Sequence, residues 1–531
     1  MNLSRHLAMQ GRKYPDKEAL IAAGGSRVTF KEWNEQANLW AARLRQAGIA
    51  AGDRVVLMMP NCVEFAVMYF AIMRSGAIVV PINARSTEED VAYICSHSQA
   101  SGIIVHELLW SGIARVADER AFSIALKTGT SSGKWSGMAD WVDEADLLKA
   151  FSVDAELPGI EEDDEVSMLY TSGTTGRPKG VLFTHRNLLS VSTMIAIEFE
   201  INRQSRILHL MPLSHSAPLH LFFVTGVLVG AAQVLAPTFS PELLLGLTQQ
   251  ERITHFFGAP VAYLLTMKHP EFASYDLSSV RYWCYGGAPL SKEMASLMEN
   301  GFGRDKLACV YGLTEAGPTG TCLRHRDHAD KAGSIGQPVL FVELEIVDER
   351  GLPVTIGEPG EIRLRSDGTM KGYYRNPEAT AEAMIDGWLY SGDIATQDED
   401  GFLYLIDRKK DIIITGGVNV YPKEVELQLE RHPAIQEVAV IGVPHPEWGE
   451  TVKAFLVRKP GAEPADGAAD WLEDIRAFLS GKVADYKLPR LAEAIDALPR
   501  NASGKILKSV LRDQSNLQGG KNDDKHPIAN R

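Results

Sequence analysis

Short runs of consecutive apolar side chains alternate along most of this chain with longer stretches in which apolar positions recur every three to four residues. The second pattern predicts amphipathic helices, the first buried strands. Trp33, Ala37, Trp40, Ala41 and Leu44 fall on one face of a helix over Phe30 to Ala47. Val55 to Met59 then reads as a strand, Cys62 to Ser75 as a helix and Ala77 to Pro81 as a strand. Strand–helix–strand alternation implies parallel sheets covered by helices. From about Val339 to Ile406 the texture changes to alternating strands with turn signals, Glu349-Arg350-Gly351 and Glu399-Asp400-Gly401, which predicts an antiparallel subdomain.

A charged break, Asp407-Arg408-Lys409-Lys410-Asp411, precedes a further unit. There the pattern gives a helix Pro422 to Leu429, strands Val438 to Ile441 and Val452 to Val457, and a helix Ala469 to Phe478. The expected fold is therefore α/β. A large N-terminal domain (1–406) holds two α/β-layered subdomains and a β subdomain, and a small α+β C-terminal domain (407–514) follows. Ser515 to Arg531 is polar without apolar periodicity and reads as a disordered tail.

Leu221 to Ala236 is almost wholly apolar but carries Thr225 and Gln233. It falls short of a membrane span and reads as a buried helix running into a buried strand. With no apolar leader at the N-terminus and five scattered cysteines lacking a C-x-x-C pair, a cytoplasmic, reducing setting is expected. Composition, 45% hydrophobic and 23% charged, is ordinary for a globular chain. Basic and acidic side chains number 54 and 68, for a net charge of −14, which disfavours nucleic acid as a partner.

Chemistry concentrates in Tyr170-Thr171-Ser172-Gly173-Thr174-Thr175-Gly176-Arg177-Pro178-Lys179-Gly180, between apolar Val166–Leu169 and Val181–Phe183. Glycines let backbone N–H groups approach an anion, hydroxyls add donors, and Lys179 adds positive charge. Pro178, five residues beyond Gly173, and Gly180 after Lys179 set this loop apart from a Walker A motif. Three other patterns carry less. Gly129-Thr130-Ser131-Ser132-Gly133 matches a hydrolase nucleophile motif without a following helix. Cys322, His325 and His328 lack a second ligand pair, and His209, His215 and His220 spread over a strand–loop–helix transition.

The threonine-glycine loop resembles the phosphate-binding loop of the adenylate-forming superfamily, which includes acyl- and aryl-CoA synthetases, nonribosomal-peptide adenylation domains and firefly luciferase. Further blocks follow in family order. Gly286-Gly287-Ala288-Pro289-Leu290 resembles the adenine loop, Tyr311-Gly312-Leu313-Thr314-Glu315 the second nucleotide motif and Tyr390-Ser391-Gly392-Asp393 the ribose segment. Asp407 to Asp411 resembles the hinge, and Pro499-Arg500-Asn501-Ala502-Ser503-Gly504-Lys505 the C-terminal catalytic loop. The resemblance covers about residues 10 to 512 and is greatest to bacterial fatty-acyl-CoA synthetases.

It implies activation of a carboxylate by ATP to an acyl-adenylate with release of pyrophosphate, followed by transfer of the acyl group to CoA. An anion must approach a triphosphate, so cations and N–H donors around the α-phosphate are needed. On the family pattern Lys505 is that cation and Thr171 to Lys179 hold the β- and γ-phosphates. Thr314 bonds the α-phosphate and Glu315 holds Mg²⁺, a hard cation suited to oxygen ligands. Asp393 accepts from the ribose hydroxyls beside Arg408; Gly287, Ala288, Pro289, Tyr311 and Gly312 face adenine. Rotation about Lys410 exchanges Lys505 for the loop Gly416-Gly417-Val418-Asn419 at the pantetheine; many relatives carry Glu where this chain has Val418.

For the acid, the segment after Met211-Pro212-Leu213-Ser214-His215-Ser216 lacks the Asp that amino-acid-activating relatives set against an ammonium. A hydrophobic monocarboxylic acid is expected, a medium- or long-chain fatty acid first. The alternatives are an aryl acid of the coumarate or benzoate kind, or loading of a carrier protein in place of CoA. Leu219 to Leu235, Phe256-Phe257-Gly258, Trp283 and Tyr285 are candidates for an apolar wall, many of them equally readable as core. His215, Ser216 and Gly286 would contact the carboxylate or the thiol. A monomer or homodimer, with or without peripheral contact to a lipid surface, is compatible with this reading.

Overall fold

The computed structural model describes residues 2–120, 122–128, 134–136, 158–171, 177–287, 290, 292–464, 470–500 and 506–522. Among these, close contacts divide the chain into two units. The first comprises 1–345, 363–391 and 400–404, the second 346–362, 392–399 and 405–531.

The first unit is built on two large sheets. One has nine strands in the order Gln337–Pro338, Gly320–Leu323, Leu307–Gly312, Tyr282–Gly286, His255–Gly258, Arg206–His209, Ala232–Leu235, Glu18–Ala22 and Arg27–Thr29. The other has eight, and at its centre Glu165–Thr171 lies between Lys179–Thr184 and Ile78–Ile82. The inner pairings are parallel, as the alternating pattern predicts. Helices Phe30–Gln46 and Val63–Arg74 fall within two residues of their expected ends. Thr29 and Glu32 close a capping box on the first, so its start is written in local chemistry. Trp33, Phe70, Tyr69, Phe65 and Phe223 interlock edge-to-face between the sheets, with ring centroids 5.3–6.3 Å apart for the pairs Trp33–Phe70 and Phe65–Phe223.

The apolar stretch after Ser216 folds as a wide π-helical turn, Ala217–Val224, which passes into the α-helix Thr225–Val229 and the strand Ala232–Leu235. Gly230 turns the chain between them at φ +77°, a left-handed conformation that suits glycine. No described helix is long and apolar enough to cross a membrane.

Strands Glu343–Val347, Gly360–Arg365, Trp388–Gln397, Met384–Ile385 and Leu403–Arg408 form a further sheet, in which Met384 and Ile385 pair antiparallel with Leu389 and Trp388, and their residues are shared between the two units. In the second unit a long hairpin, Ile435–His445 with Gly449–Arg458, carries Ile413–Thr415 and Leu491–Ala494 as neighbours. Helices Pro422–Leu429 and Trp471–Leu479 cover it around Val425, Leu429, Ile475 and Leu479. Helix Lys508–Asn522 runs into the stretch whose composition suggests a tail; residues 523–531 lie outside the described set.

Five histidines are wholly buried in the first unit: His185, His209, His220, His255 and His328. Burial pushes their pKa values down, to about 3 for His220 and about 4 for the others. Below about 6.5 the unfolded chain takes up protons that the folded unit refuses until about pH 4, so stability is held above that window and lost as pH falls through it. Lowering pH from 7.5 to 5.5 should remove about 1 kcal/mol for each histidine. Urea unfolding at the two pH values reads this directly; equal midpoints would refute it.

Candidate active site

The loop of threonines and glycines spans the turn of an antiparallel pair in which Thr171 lies opposite Lys179. Ser172, Gly173, Thr174, Thr175 and Gly176 lie outside the described residues, but both flanks are defined. Thr171 Oγ1 stands 3.5 Å from Glu315 Oε1, and Tyr373 donates its hydroxyl to the same oxygen at 2.9 Å. The ammonium of Lys179 sits 4.9 Å above the Tyr373 ring. Thr171, Lys179, Glu315 and Tyr373 thus form one constellation. Burial and the neighbouring Glu315 carboxylate push the Tyr373 phenol well up, which keeps it a donor. Tyr373 carries no motif, so sequence reasoning passed over it; its strand, Gly372–Tyr373, pairs with Val181 and Leu182 just beyond the loop.

Glu315 is fixed by its backbone as well as its side chain. It lies in a 3₁₀ turn, Thr314–Ala316, closed by Gly317 at φ +81°. The Met370 N–H donates to the Glu315 carbonyl at 2.7 Å. Thr314 Oγ1 meets Ser216 Oγ at 2.9 Å, and Ser216 immediately precedes the apolar π-helical turn. One hydroxyl pair therefore joins the Tyr311–Glu315 segment to the start of the apolar π-helical turn.

Glycines of the two motifs meet on neighbouring strands. A Cβ on Gly286 would lie 2.3 Å from the Val310 carbonyl oxygen, and one on Gly312 would lie 2.2 Å from that of Pro318. Gly312 also faces Gly320 across the sheet. These strand ends thus bear a floor of backbone with no side chains. Tyr311 is buried, its ring against Gly320, and Gly287 takes φ +78°. Ala288 and Pro289 lie outside the described residues.

His215 sits at the turn between the strand Arg206–His209 and the π-helix. The Asn83 amide nitrogen faces its Nε2 at 3.2 Å. An amide nitrogen has only hydrogens to offer, so Nε2 accepts and the proton of the neutral ring stays on Nδ1. Burial lowers the His215 pKa, in agreement with a neutral ring. Asn61, itself buried, accepts from Leu213 N–H and donates to the carbonyls of His209 and Met211, which holds this turn in place. Neither asparagine announces itself in the sequence, because each lies more than a hundred positions from its partners.

Alternation along Tyr282–Gly286 decides which aromatic residues face the apolar wall. Tyr282 and Cys284 pack in the cluster with Phe222 and Phe223, against which Phe257 lies half-buried. Phe222 and Phe257 stack with centroids 5.3 Å apart, and the Phe257 ring is 3.4 Å from where a Gly286 Cβ would be. Trp283, Tyr285 and Phe256 point to the opposite face, into a core with Tyr263 and Phe302. The Tyr285 hydroxyl lies 3.1 Å from His328 Nε2 and its side chain is fully buried. Tyr285 is therefore core rather than wall, for the plain reason that it is one residue out of register with Gly286. His328 is engaged there, His209 pairs with Gln233 and His220 faces Ser167, so these histidines have separate partners. No cluster of His, Cys, Asp or Glu suited to a metal ion exists among the described residues. Gly129 to Gly133 lie outside them.

The remaining candidates belong to the second unit. Asp393 is buried and pairs with Arg408 at 3.1 Å. Beside it Glu361 accepts from Gly392 N–H and pairs with Lys409 at 2.8 Å. Lys410 lies in the short turn Lys409–Asp411. Gly416 and Gly417 turn the hairpin Ile413–Val420 at φ +57° and +80°, with no atom within 4 Å of a Cβ on either. Lys505 and the preceding 501–504 lie outside the described residues. Their flanks are closed by a bridge between Arg500 and Ile506 and a hydrogen bond from Leu507 N–H to the Pro499 carbonyl. The helix that follows is tied by Lys508 to Glu426 at 2.8 Å and by Arg512 to Asp411 at 2.7 Å.

Comparison with known proteins agrees with this arrangement. Residues 7–374 match the family of AMP-binding enzymes and residues 424–505 the AMP-binding enzyme C-terminal domain. A feruloyl-CoA synthase from an Amycolatopsis species is 38% identical over 496 residues, 93% of this chain and 95% of that protein. A long-chain-fatty-acid–CoA ligase from Bacillus subtilis is 36% identical over 526 residues, 94% of this chain and 92% of that one. Among solved structures, ATP-bound MatB from Rhodopseudomonas palustris superposes with a TM-score of 0.84 at 29% identity, covering 97% of this chain and 99% of that one.

Proposed function

Because this chain belongs to the AMP-binding enzyme family and is an ATP-dependent, AMP-forming acyl-CoA synthetase, we propose that its acid is hydrophobic, a medium- or long-chain fatty acid. The observation that supports this reading is the Ser216–Thr314 hydroxyl pair, which ties the second nucleotide motif to the start of the apolar turn Ala217–Val224, whose Phe222 stacks on half-buried Phe257.

Adenylation joins the acid's carboxylate oxygen to the α-phosphorus of ATP and breaks the bond to pyrophosphate. Two anions must meet, so the site has to supply charge and donors before the reaction starts. Lys179, the Thr171 hydroxyl and the backbone of 172–176 bind the β- and γ-phosphates, Thr314 orients the α-phosphate, and Lys505 bridges it to the carboxylate. The glycine floor at Gly286, Gly287 and Gly312 accepts the flat base beside Tyr311, with Ala288 and Pro289 completing the loop. Asp393, oriented by Arg408, accepts from the ribose hydroxyls. Glu315 suits Mg²⁺: one carboxylate with phosphate oxygens and water is a common set for that ion, which would offset phosphate charge. In the second half-reaction the CoA thiol attacks the acyl carbon and AMP leaves, with neutral His215 beside the carbonyl, Gly416 and Gly417 lining the thiol's approach and Lys410 as hinge.

The relative named for feruloyl-CoA and the stacked Phe222–Phe257 pair favour a second reading, an aryl acid held between rings. Pyrophosphate release measured with saturated C4 to C18 acids, benzoates, hydroxycinnamates and amino acids, with and without CoA, separates the two. Highest CoA-dependent turnover on an aliphatic acid supports the first; a hydroxycinnamate preferred at least about tenfold would replace it. Turnover to the adenylate that stops despite added CoA would point to a carrier-protein acceptor.

A further inference from the structure

Asp393 follows a glycine whose conformation local sterics leave open. Gly392 takes φ +71°, and no atom beyond the adjoining residues lies within 4 Å of where its Cβ would be. A glycine adopts either sign of φ at little cost, so packing at that position does not decide how the next carboxylate leaves the strand. A contact from a neighbouring strand decides it. Gly392 lies in Trp388–Gln397, which neighbours both Gly360–Arg365 and Leu403–Arg408. From the first of these, Glu361 accepts the Gly392 N–H on Oε1 at 3.0 Å.

The other oxygen of Glu361 is held as well. Oε2 accepts from the Lys409 ammonium at 2.8 Å. Lys409 follows Arg408, whose Nε pairs with Asp393 Oδ1 at 3.1 Å. Adjacent residues 392 and 393 are thus tied to adjacent residues 408 and 409, once through Glu361 and once directly. One tie fixes a backbone N–H, the other a side chain, and together they define the direction of the Asp393 carboxylate. The Glu361 side chain is 11% exposed and that of Lys409 56%. Little water can replace either partner at the carboxylate, whereas the lysine end of the pair lies at the surface.

We propose that Glu361 is a positioning residue for ribose recognition: held by Lys409, it fixes the Gly392 peptide and thereby aims Asp393 at the two hydroxyls of the nucleotide sugar. This rests on the reading of Asp393 as the ribose acceptor. A carboxylate that accepts from two hydroxyls at once must meet both in line, and hydrogen bonds weaken steeply with misalignment. Without the Glu361 contact Gly392 samples other conformations, Asp393 is aligned for a fraction of the time, and apparent affinity falls by that fraction. A nucleotide without the hydroxyls has no such dependence.

Pyrophosphate exchange with ATP and with 2′,3′-dideoxyATP, which lacks both hydroxyls, reads this as a ratio of kcat/KM values. Glu361→Ala should lower the preference for ATP about tenfold by raising its KM. The kcat/KM for 2′,3′-dideoxyATP should stay within about twofold. Lys409→Met tests the same tie from its half-exposed end, where the fold depends on it least, and should lower the ratio about threefold. Asp393→Ala tests the ribose reading separately. If it collapses the ratio while neither Glu361→Ala nor Lys409→Met moves it, the positioning role is overturned and the ribose reading stands. If Asp393→Ala leaves the ratio unchanged, both fall. A loss on the two nucleotides alike in Glu361→Ala would reduce Glu361 to a stabilising contact and overturn the proposal.

Discussion

Lys505→Ala should lose pyrophosphate release by at least about 10²-fold while CoA continues to attack a supplied acyl-adenylate at close to the native rate. The reason is electrostatic. In the first half-reaction a carboxylate approaches a phosphate that already carries negative charge, and a preorganised ammonium in a water-poor site stabilises the charge that builds between them. In the second, a thiol attacks a mixed anhydride that is already activated, and no such meeting of anions occurs. Acid-dependent exchange of labelled pyrophosphate into ATP reads the first step, and thioester formation from synthetic acyl-adenylate reads the second. An equal fall in both would overturn the assignment.

Gly417→Leu should give the opposite signature: thioester formation down by at least about 10²-fold, pyrophosphate release retained. Gly417 sits at φ +80° in an open hairpin turn, so any side chain there brings some backbone strain. Gly417→Ala shares that strain but adds only one carbon. The contrast between the two variants therefore isolates bulk along the thiol's approach from local destabilisation. A loss in Gly417→Ala as deep as in Gly417→Leu would assign the effect to strain and sink the steric account.

The parts of this molecule that local chemistry writes were legible from the chain. Helix Phe30–Gln46 has its apolar stripe and capping box within a single stretch, and helix Pro422–Leu429 begins and ends at the expected residues. The motif glycines were equally visible, because close approach of a neighbouring backbone leaves no substitute at Gly286 or Gly312. What escaped sequence reasoning is set by register and by distance along the chain. Tyr285 was a candidate for the wall, equally readable as core, and strand pleating turns it to the face opposite Cys284, into the core with Tyr263 and Phe302. Tyr373, Asn83, Asn61 and Glu361 belong to no motif and gain their partners only when remote segments pack.

The π-helical turn Ala217–Val224 bears on how such a site could diverge between genes. A π turn holds one residue more than the α-helix that would replace it. Loss of a single codon would let the turn rewind as α-helix, keeping the helix Thr225–Val229 in register while re-aiming the side chains of the turn itself. Nearly every side chain in the turn is apolar and buried, so the rewinding would exchange one apolar surface for another. The exception is His220, which would leave Ser167 and Phe183. On the proposed reading of this turn as the surface behind the acid, a one-residue deletion is a route to a new acid preference that leaves every residue assigned to ATP in place.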